Sequence, residues 1–274
     1  MRRILDSGLA RNHLAVNWTR ILYPRPMAEN AFETIPGRSG QQSVNSRLLF
    51  LCDHASNRLP EGGLGLDPAL LATHIAYDIG AASLTRALAK AYGAPALLGG
   101  WSRLLIDLNR GADDPTLVMK LSDGSIIPGN AGAGADEVAR RIAAYHAPYH
   151  AAIDAELNLM GKDAIVISMH SFTPTWKGQP RPWQVGVLYD RDTRLSAPLM
   201  ARLAEAGFVV GDNEPYSGAL EGDTLYQHGT LRTLPHVLIE IRQDLIAGEA
   251  AAQEFASRLK PVLDLAISDM HRQE

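Results

Sequence analysis

The sequence predicts one α/β domain with helices on both faces of its sheet, and two observations carry that prediction. Four short apolar runs, at 49–52, 104–106, 164–169 and 236–239, each stop at a cluster of reactive polar residues. The clusters are Asp53-His54-Ala55-Ser56-Asn57, Asp107-Leu108-Asn109-Arg110, His170-Ser171 and Glu240-Ile241-Arg242-Gln243-Asp244. Runs of aliphatic and β-branched residues of this length fit strands buried on both faces. Between them lie segments with helical period and loops rich in Gly and Pro, the alternation expected of a layered α/β fold. Open α/β sheets place ligands just beyond the carboxyl ends of their strands, so residues far apart in the chain are expected to meet in one cleft.

The elements follow in order. After the first strand, a Pro/Gly loop leads to Asp67-Pro68, with Asp as N-cap and Pro at the first helical position. Ile79, Leu84, Leu88 and Ala91 suggest a second helix, which Gly93 closes in the position where helices often end. Short strands are expected near 94–98 and 103–108. Residues 111–134, rich in Gly, Asp and Pro, form a long connection of the kind that is usually functional or mobile. Val138, Ile142, Tyr145, Tyr149, Ile153, Leu157 and Met160 recur every three or four residues, marking a long amphipathic helix that Pro148 should kink. Strands at 164–169 and 184–189, a helix over 195–206, a loop from Gly211 to Gly218, a short helix and a strand at 236–241 come next. Ala251, Phe255, Leu259, Val262 and Ala266 make a closing helix. There is no internal repeat, and no linker interrupts 47–270.

The totals narrow the function. A chain of 274 residues with 46% hydrophobic and 20% charged residues is long enough to bury a large core and ordinary in composition. A net charge of −4, with no basic run carrying interleaved aromatics, argues against nucleic acid and anionic lipid as partners. Lone Cys52 excludes an intramolecular disulfide and fits a reducing, cytoplasmic setting. No apolar stretch approaches the ~18–20 residues that span a bilayer. Residues 1–45 read as an irregular, flexible extension, with Arg2, Arg3, Arg11, Arg20 and Arg25 against Asp6. They lack the apolar core of a signal peptide, and Met27 is an alternative start. Residues 46–274 read as the catalytic domain.

His54 and His170 follow separate strands, so their imidazoles are candidates to share one metal ion. A His after a strand is more often a hydrogen-bonded structural residue, but a pair of them alongside an inward acid shifts the balance toward zinc. His13 lies in the N-terminal extension, His74, His146 and His150 fall on predicted helices and are given packed or solvated roles, His236 begins a strand, and His228 is kept as a substrate contact. Glu240 sits inside the apolar run Val237-Leu-Ile-Glu-Ile, where a carboxylate costs several kcal/mol to bury without compensation. It pairs with an arginine or serves as general base beside a metal-activated water. Asp107 is assigned the support of a metal-bound His54, accepting its free N–H. Arg103, Arg110 and Arg242 crowd the same strand ends. One neutralises Glu240 or Asp244, and the planar fork of Arg110, with Asn109, is chosen to grip an anionic substrate. Arg103 and Ser171 are further candidate substrate contacts.

These residues also carry a resemblance. Cys-Asp-His-Ala-Ser-Asn-Arg-Leu-Pro at 52–60, Tyr77-Asp78-Ile-Gly-Ala, Ser102-Arg103-Leu-Leu-Ile-Asp107-Leu-Asn109-Arg110, His170-Ser-Phe-Thr-Pro174, Asn213-Glu-Pro-Tyr-Ser217 and Glu240-Ile-Arg-Gln-Asp-Leu245 closely resemble the N-formylglutamate amidohydrolase family, in order, over about residues 47–265. The resemblance implies a three-layer αβα sandwich with a mixed, mostly parallel sheet, related to the zinc carboxypeptidases. It implies His54 and His170 as zinc ligands (or ligands of another divalent metal), Glu240 as general base and Asn109-Arg110 as the carboxylate clamp. The carboxypeptidase pattern wants Glu three residues after the first His, where this chain has Asn57. An amide oxygen is a poor zinc ligand beside a carboxylate, so Asp78 is preferred to Asn57 as the third ligand.

The expected function is hydrolysis of a small acidic N-acyl amino acid, N-formyl-L-glutamate in the first instance, to formate and glutamate, a step in histidine breakdown. Two alternatives stand beside it: a zinc carboxypeptidase or amidase acting on a peptide, and a non-catalytic binder of acidic metabolites.

Overall fold

The computed structural model describes residues 31–38 and 47–273; the readings made for residues 2–25, His13 and Met27 lie outside them. Its strands are β1 (Phe32–Ile35), β2 (Leu48–Cys52), β3 (Ala96–Gly99), β4 (Leu121–Ser122), β5 (Ser125–Ile126), β6 (Ile165–Phe172), β7 (Thr175–Trp176), β8 (Gln179–Pro180), β9 (Val185–Leu188), β10 (Val210–Asp212) and β11 (His236–Arg242). Its helices are α1 (Ala81–Tyr92), α2 (Pro128–Ala131), α3 (Ala135–Arg141), α4 (Ala147–Met160), α5 (Ser196–Glu205) and α6 (Glu249–Gln273).

Seven strands form the main sheet, in the order β1-β3-β2-β6-β11-β9-β10. The pairs β3–β2, β2–β6, β6–β11 and β9–β10 are parallel, while β1–β3 and β11–β9 are antiparallel. This is the mixed, mostly parallel sheet of an αβα sandwich. The central strands are apolar throughout because successive side chains alternate between two covered faces. In β2, Leu48, Phe50 and Cys52 join Leu84 and Leu88 of α1, Leu199 of α5 and Leu259 of α6 on one side. Leu49 and Leu51 join Tyr149, Ile153 and Leu157 of α4 on the other.

Several expectations change. Residues 103–108 are not a strand: Ser102 Oγ accepts the Leu104 amide at 3.2 Å and starts a turn, and Asp107 N donates to Leu117 O at 2.8 Å. Leu104, Leu105 and Ile106 are nonetheless buried, and a buried turn has the same apolar signature as a buried strand. The sheet also takes in Phe32–Ile35, from the stretch read as irregular extension, as an edge strand on β3. Asp67 does cap its helix, accepting from Ala69 N at 2.9 Å, but that helix is the short 3₁₀ segment Pro68–Ala72. The long amphipathic helix opens into a π turn at Ile142–His146, where Ala147 N bonds back to Ile142 O. Pro148 stands just beyond that wider turn, and proline cannot supply the amide that a regular helix needs there.

Register places the polar residues. On the face covered by α4, His170 of β6 stands opposite Glu240 of β11, and Glu240 stands opposite Gly186 of β9. A Cβ on Gly186 would lie 2.1 Å from the carbonyl oxygen of Glu214 and 3.2 Å from Glu240 Cβ. Only hydrogen fits between the 213–216 turn and the sheet. Gly186→Ala should therefore lower stability by about 2–3 kcal/mol, read as a shift of the denaturation midpoint; an unchanged midpoint would show that the turn is not seated there.

Candidate metal centre

Asp53 and His54 come immediately after β2. Asp78 is brought to them by its backbone, whose N–H donates to His54 O at 3.0 Å. Gly80, in left-handed conformation with φ of 82°, then turns the chain into α1. His170 arrives on β6. One nitrogen of each imidazole and one oxygen of Asp78 lie within 4.8 Å of one another, and all three residues are buried.

The far nitrogen of each ring meets its own carboxylate. His54 Nε2 is 2.7 Å from Asp107 Oδ1, and His170 Nε2 is 3.1 Å from Asp53 Oδ2. An ionised carboxylate only accepts hydrogen bonds, so each Nε2 carries the hydrogen and donates it. Both Nδ1 atoms then face Asp78 Oδ2, His54 at 3.3 Å and His170 at 2.8 Å. With neutral rings these are lone pairs meeting lone pairs. The geometry calls for positive charge in the middle, supplied either by a proton on each ring or by a cation shared among the three.

Electrostatics follow the same lines. Burial and Arg103 pull His54 down, but Asp107 and Asp78 outweigh them and raise it above an ordinary imidazole. Burial also opposes protonation of His170, yet its bonds to Asp53 and Asp78 hold it well above the usual range. Asp53, despite burial, is lowered to about 2 by its bond to His170. Asp107 is held well below the usual carboxylate range by Arg103 and His54 against the cost of burial. Asp53 is itself fixed by Tyr149 Oη at 2.8 Å and Thr224 Oγ1 at 3.1 Å, both donating to Oδ1.

Glu240 differs. It is 6% exposed, and its buried Oε2 has no hydrogen-bond partner among the described residues. Burial, with Asp78 adding to it, raises its pKa to about 7 against the pull of His170. Arg242 leaves it alone, forking instead onto Asp244 at 2.8 and 3.2 Å.

Of the other predicted residues, Arg103, Asn109 and Ser171 sit against the triangle or its supports, the backbone amides of Asn109 and Ser171 donating to Asp107 Oδ1 at 3.0 Å and Asp78 Oδ2 at 3.3 Å. Arg103 lies between Asp107, at 2.8 Å, and Asp78, at 3.6 Å. Asn57 is outside the triangle, its amide donating to Leu71 O at 2.8 Å, which leaves Asp78 as the acid that joins the two histidines. Arg110 turns its guanidinium onto Asn109 O at 2.8 Å and Thr116 Oγ1 at 3.3 Å. Asn109 Oδ1 accepts from Thr224 N at 3.0 Å, and Ser171 Oγ donates to Ile79 O at 2.9 Å. His228 stacks on His150, bonded to it at 2.8 Å, with its other nitrogen 3.1 Å from Asp154. As the chain stands, none of these presents a free donor pair to the triangle. Asp53 was missed by the sequence reading; its strand period, continuing Leu49 and Leu51, was the available signal.

The N-formylglutamate amidohydrolase family model matches residues 46–247. Among solved structures, the gene product Atu2144 from Agrobacterium tumefaciens is 31% identical with a TM-score of 0.80, over 90% of this chain and 100% of that one. The N-formylglutamate amidohydrolase from Ralstonia eutropha JMP134 is 21% identical with a TM-score of 0.62, over 88% of this chain and 97% of that one. A metallo-carboxypeptidase from Burkholderia cenocepacia is more distant, at 12% identity and a TM-score of 0.40, over 91% of this chain and 63% of that one. No curated protein sequence matches the chain. The α/β sandwich and the family match make the protein an amidohydrolase by class. The chain belongs to the N-formylglutamate amidohydrolase family.

The isolation of Glu240 has a measurable cost. Its folded pKa of about 7 lies above the ordinary 4.5. This group therefore costs nothing near pH 4, and its penalty grows as pH rises to about 7 and stays constant beyond, at roughly 3 kcal/mol at most. In metal-free protein, Glu240→Gln should raise Tm by about 5 °C at pH 8 and by little at pH 4. An equal or lower Tm at pH 8 would mean that Glu240 is compensated.

Proposed function

We propose that the protein hydrolyses the amide of an N-formyl acidic amino acid, N-formyl-L-glutamate in the first instance, to formate and L-glutamate, using a divalent cation held by His54, Asp78 and His170. The observation that carries this reading is the convergence of two imidazole nitrogens and a carboxylate oxygen on one buried point. Two nitrogens and one oxygen suit zinc, and three protein ligands leave the open fourth position of a catalytic site. The carboxylates behind the rings, Asp107 and Asp53, fix each tautomer so that Nδ1 is the coordinating atom.

A bound divalent cation would polarise the formyl oxygen and acidify the attacking water. The protein's own residues do the rest. Glu240, beside the triangle and without a competing partner, takes a proton from the water and passes it to the departing amine nitrogen. A carboxylate with a pKa of about 7 is matched to both halves of that transfer. Arg103, braced between Asp78 and Asp107, supports the negative charge that gathers at the centre. The enclosure of these groups strengthens each interaction by excluding water. In this reading the reaction serves histidine breakdown in the cytoplasm. Among the described residues, no helix is long and apolar enough to cross a membrane.

Zinc-loaded protein should release formate from N-formyl-L-glutamate, a chelator should stop it, and added zinc should restore it. Glu240→Gln should lower kcat by roughly 10²–10⁴-fold. Absence of formate release by the zinc-loaded protein, or rapid turnover by the Gln variant, would refute the reading.

A further inference from the structure

Arg181 is buried, at 8% exposed, and no carboxylate lies within ion-pair distance of it among the described residues. The other arginines near the strand ends are all engaged: Arg103 by Asp107 and Asp78, Arg110 by its own backbone and Thr116, Arg242 by Asp244. Arg181 is instead boxed by aromatic rings. Its guanidinium carbon is 5.8 Å from the centre of Phe172, 5.2 Å from Trp176 and 5.2 Å from Tyr216. Nη1 donates to Thr173 Oγ1 at 3.0 Å, to Tyr216 Oη at 3.3 Å and to Thr173 O at 3.4 Å. Nε and Nη2 donate to nothing among the described residues. Ring faces offset part of the cost of burying a cation, but they leave two parallel N–H groups unused, the pattern that grips a carboxylate.

The box lies beside the reacting centre. Phe172 is two residues beyond His170 on the same face of β6, which is about 7 Å further along the strand. It stands opposite Arg242, two residues beyond Glu240, and Arg242 Nη1 donates to Arg181 O at 3.3 Å. Tyr216 closes the gap. The turn that carries it rests on Gly186 beside Glu240, and its phenol is pushed up by burial and by the charges of Glu240 and Asp78. Trp176 and Tyr216 are partly exposed, so the box has a mouth.

We propose that Arg181 is the anchor for the side-chain carboxylate of the substrate and sets the preference for acidic over neutral N-formyl amino acids. The inference rests on the proposed function. It assigns the distal carboxylate because the α-carboxylate is tied to the scissile nitrogen through a single carbon, whereas the side chain is long enough to extend to a cation one strand-step outward.

The test compares N-formyl-L-glutamate with its neutral isostere N-formyl-L-glutamine, using zinc-loaded protein. Arg181→Met should lower the ratio of the two kcat/KM values about 100-fold, through KM for the acidic substrate, and Arg181→Lys should recover only part of it. Equal losses on both substrates, with a lowered Tm, would reveal a structural role and overturn the inference; so would an unchanged ratio. Calorimetric binding of glutarate separates this inference from the parent reading. If no N-formyl substrate is turned over but Arg181→Met abolishes glutarate binding, the anchor stands and the reaction falls. If glutarate binds the Met variant as well as it binds the natural protein, or binds neither, the anchor falls.

Discussion

Two imidazole nitrogens and a carboxylate oxygen gathered on one buried point impose the constraint on which this site depends. Asp107 and Asp53 each take a hydrogen from the far side of an imidazole, so the near sides of His54 and His170 meet Asp78 either as lone pairs gathered on a cation or, without one, as protonated donors. Asp78 adds a carboxylate oxygen to the same spot. Such an arrangement is stable only with positive charge at its centre, and a divalent cation supplies more of it in less space than two protons.

The fold meets that constraint by register and alternation. Strand β2 deals its residues to two cores in turn, and the next position on the α4 side is Asp53, level with His170 on the neighbouring strand. Tyr149 from α4 and Thr224 from the segment between β10 and β11 hold Asp53 in place. Asp78 is delivered by a backbone bond onto His54, and Glu240 by pairing with His170. Four separate segments thus meet at the carboxyl ends of parallel strands, the edge where α/β sheets place their ligands. Glu240 and Arg181 share a different property: each is buried with hydrogen-bonding capacity unspent, one as a base and one as a donor pair.

Much of this was legible in the sequence, for identifiable reasons. His54, His170 and Glu240 end or sit in apolar runs that do form strands of one sheet, so their meeting at one edge follows from topology. Asp107 was readable as a support because it ends a fourth run, although that run is a buried turn and not a strand. Asp78 was preferred to Asn57 on the chemistry of the ligand and the family resemblance, while the means of its delivery, the chain doubling back to dock residue 78 on residue 54, is encoded in no local spacing. The fork of Arg110 looked available in sequence but folds onto its own backbone. Arg181 lies just past a two-residue hairpin strand with no period to mark it, and its lack of a partner is a fact of three dimensions only.

The central claim is the cation. Titration of metal-free protein with zinc, followed calorimetrically and by elemental analysis after dialysis, should show one tightly held ion per chain, with proton release as His54 and His170 give up their hydrogens. Asp78→Asn should weaken binding by at least tenfold. Absence of a stoichiometric ion, or an affinity indifferent to Asp78, His54 and His170, would contradict the account.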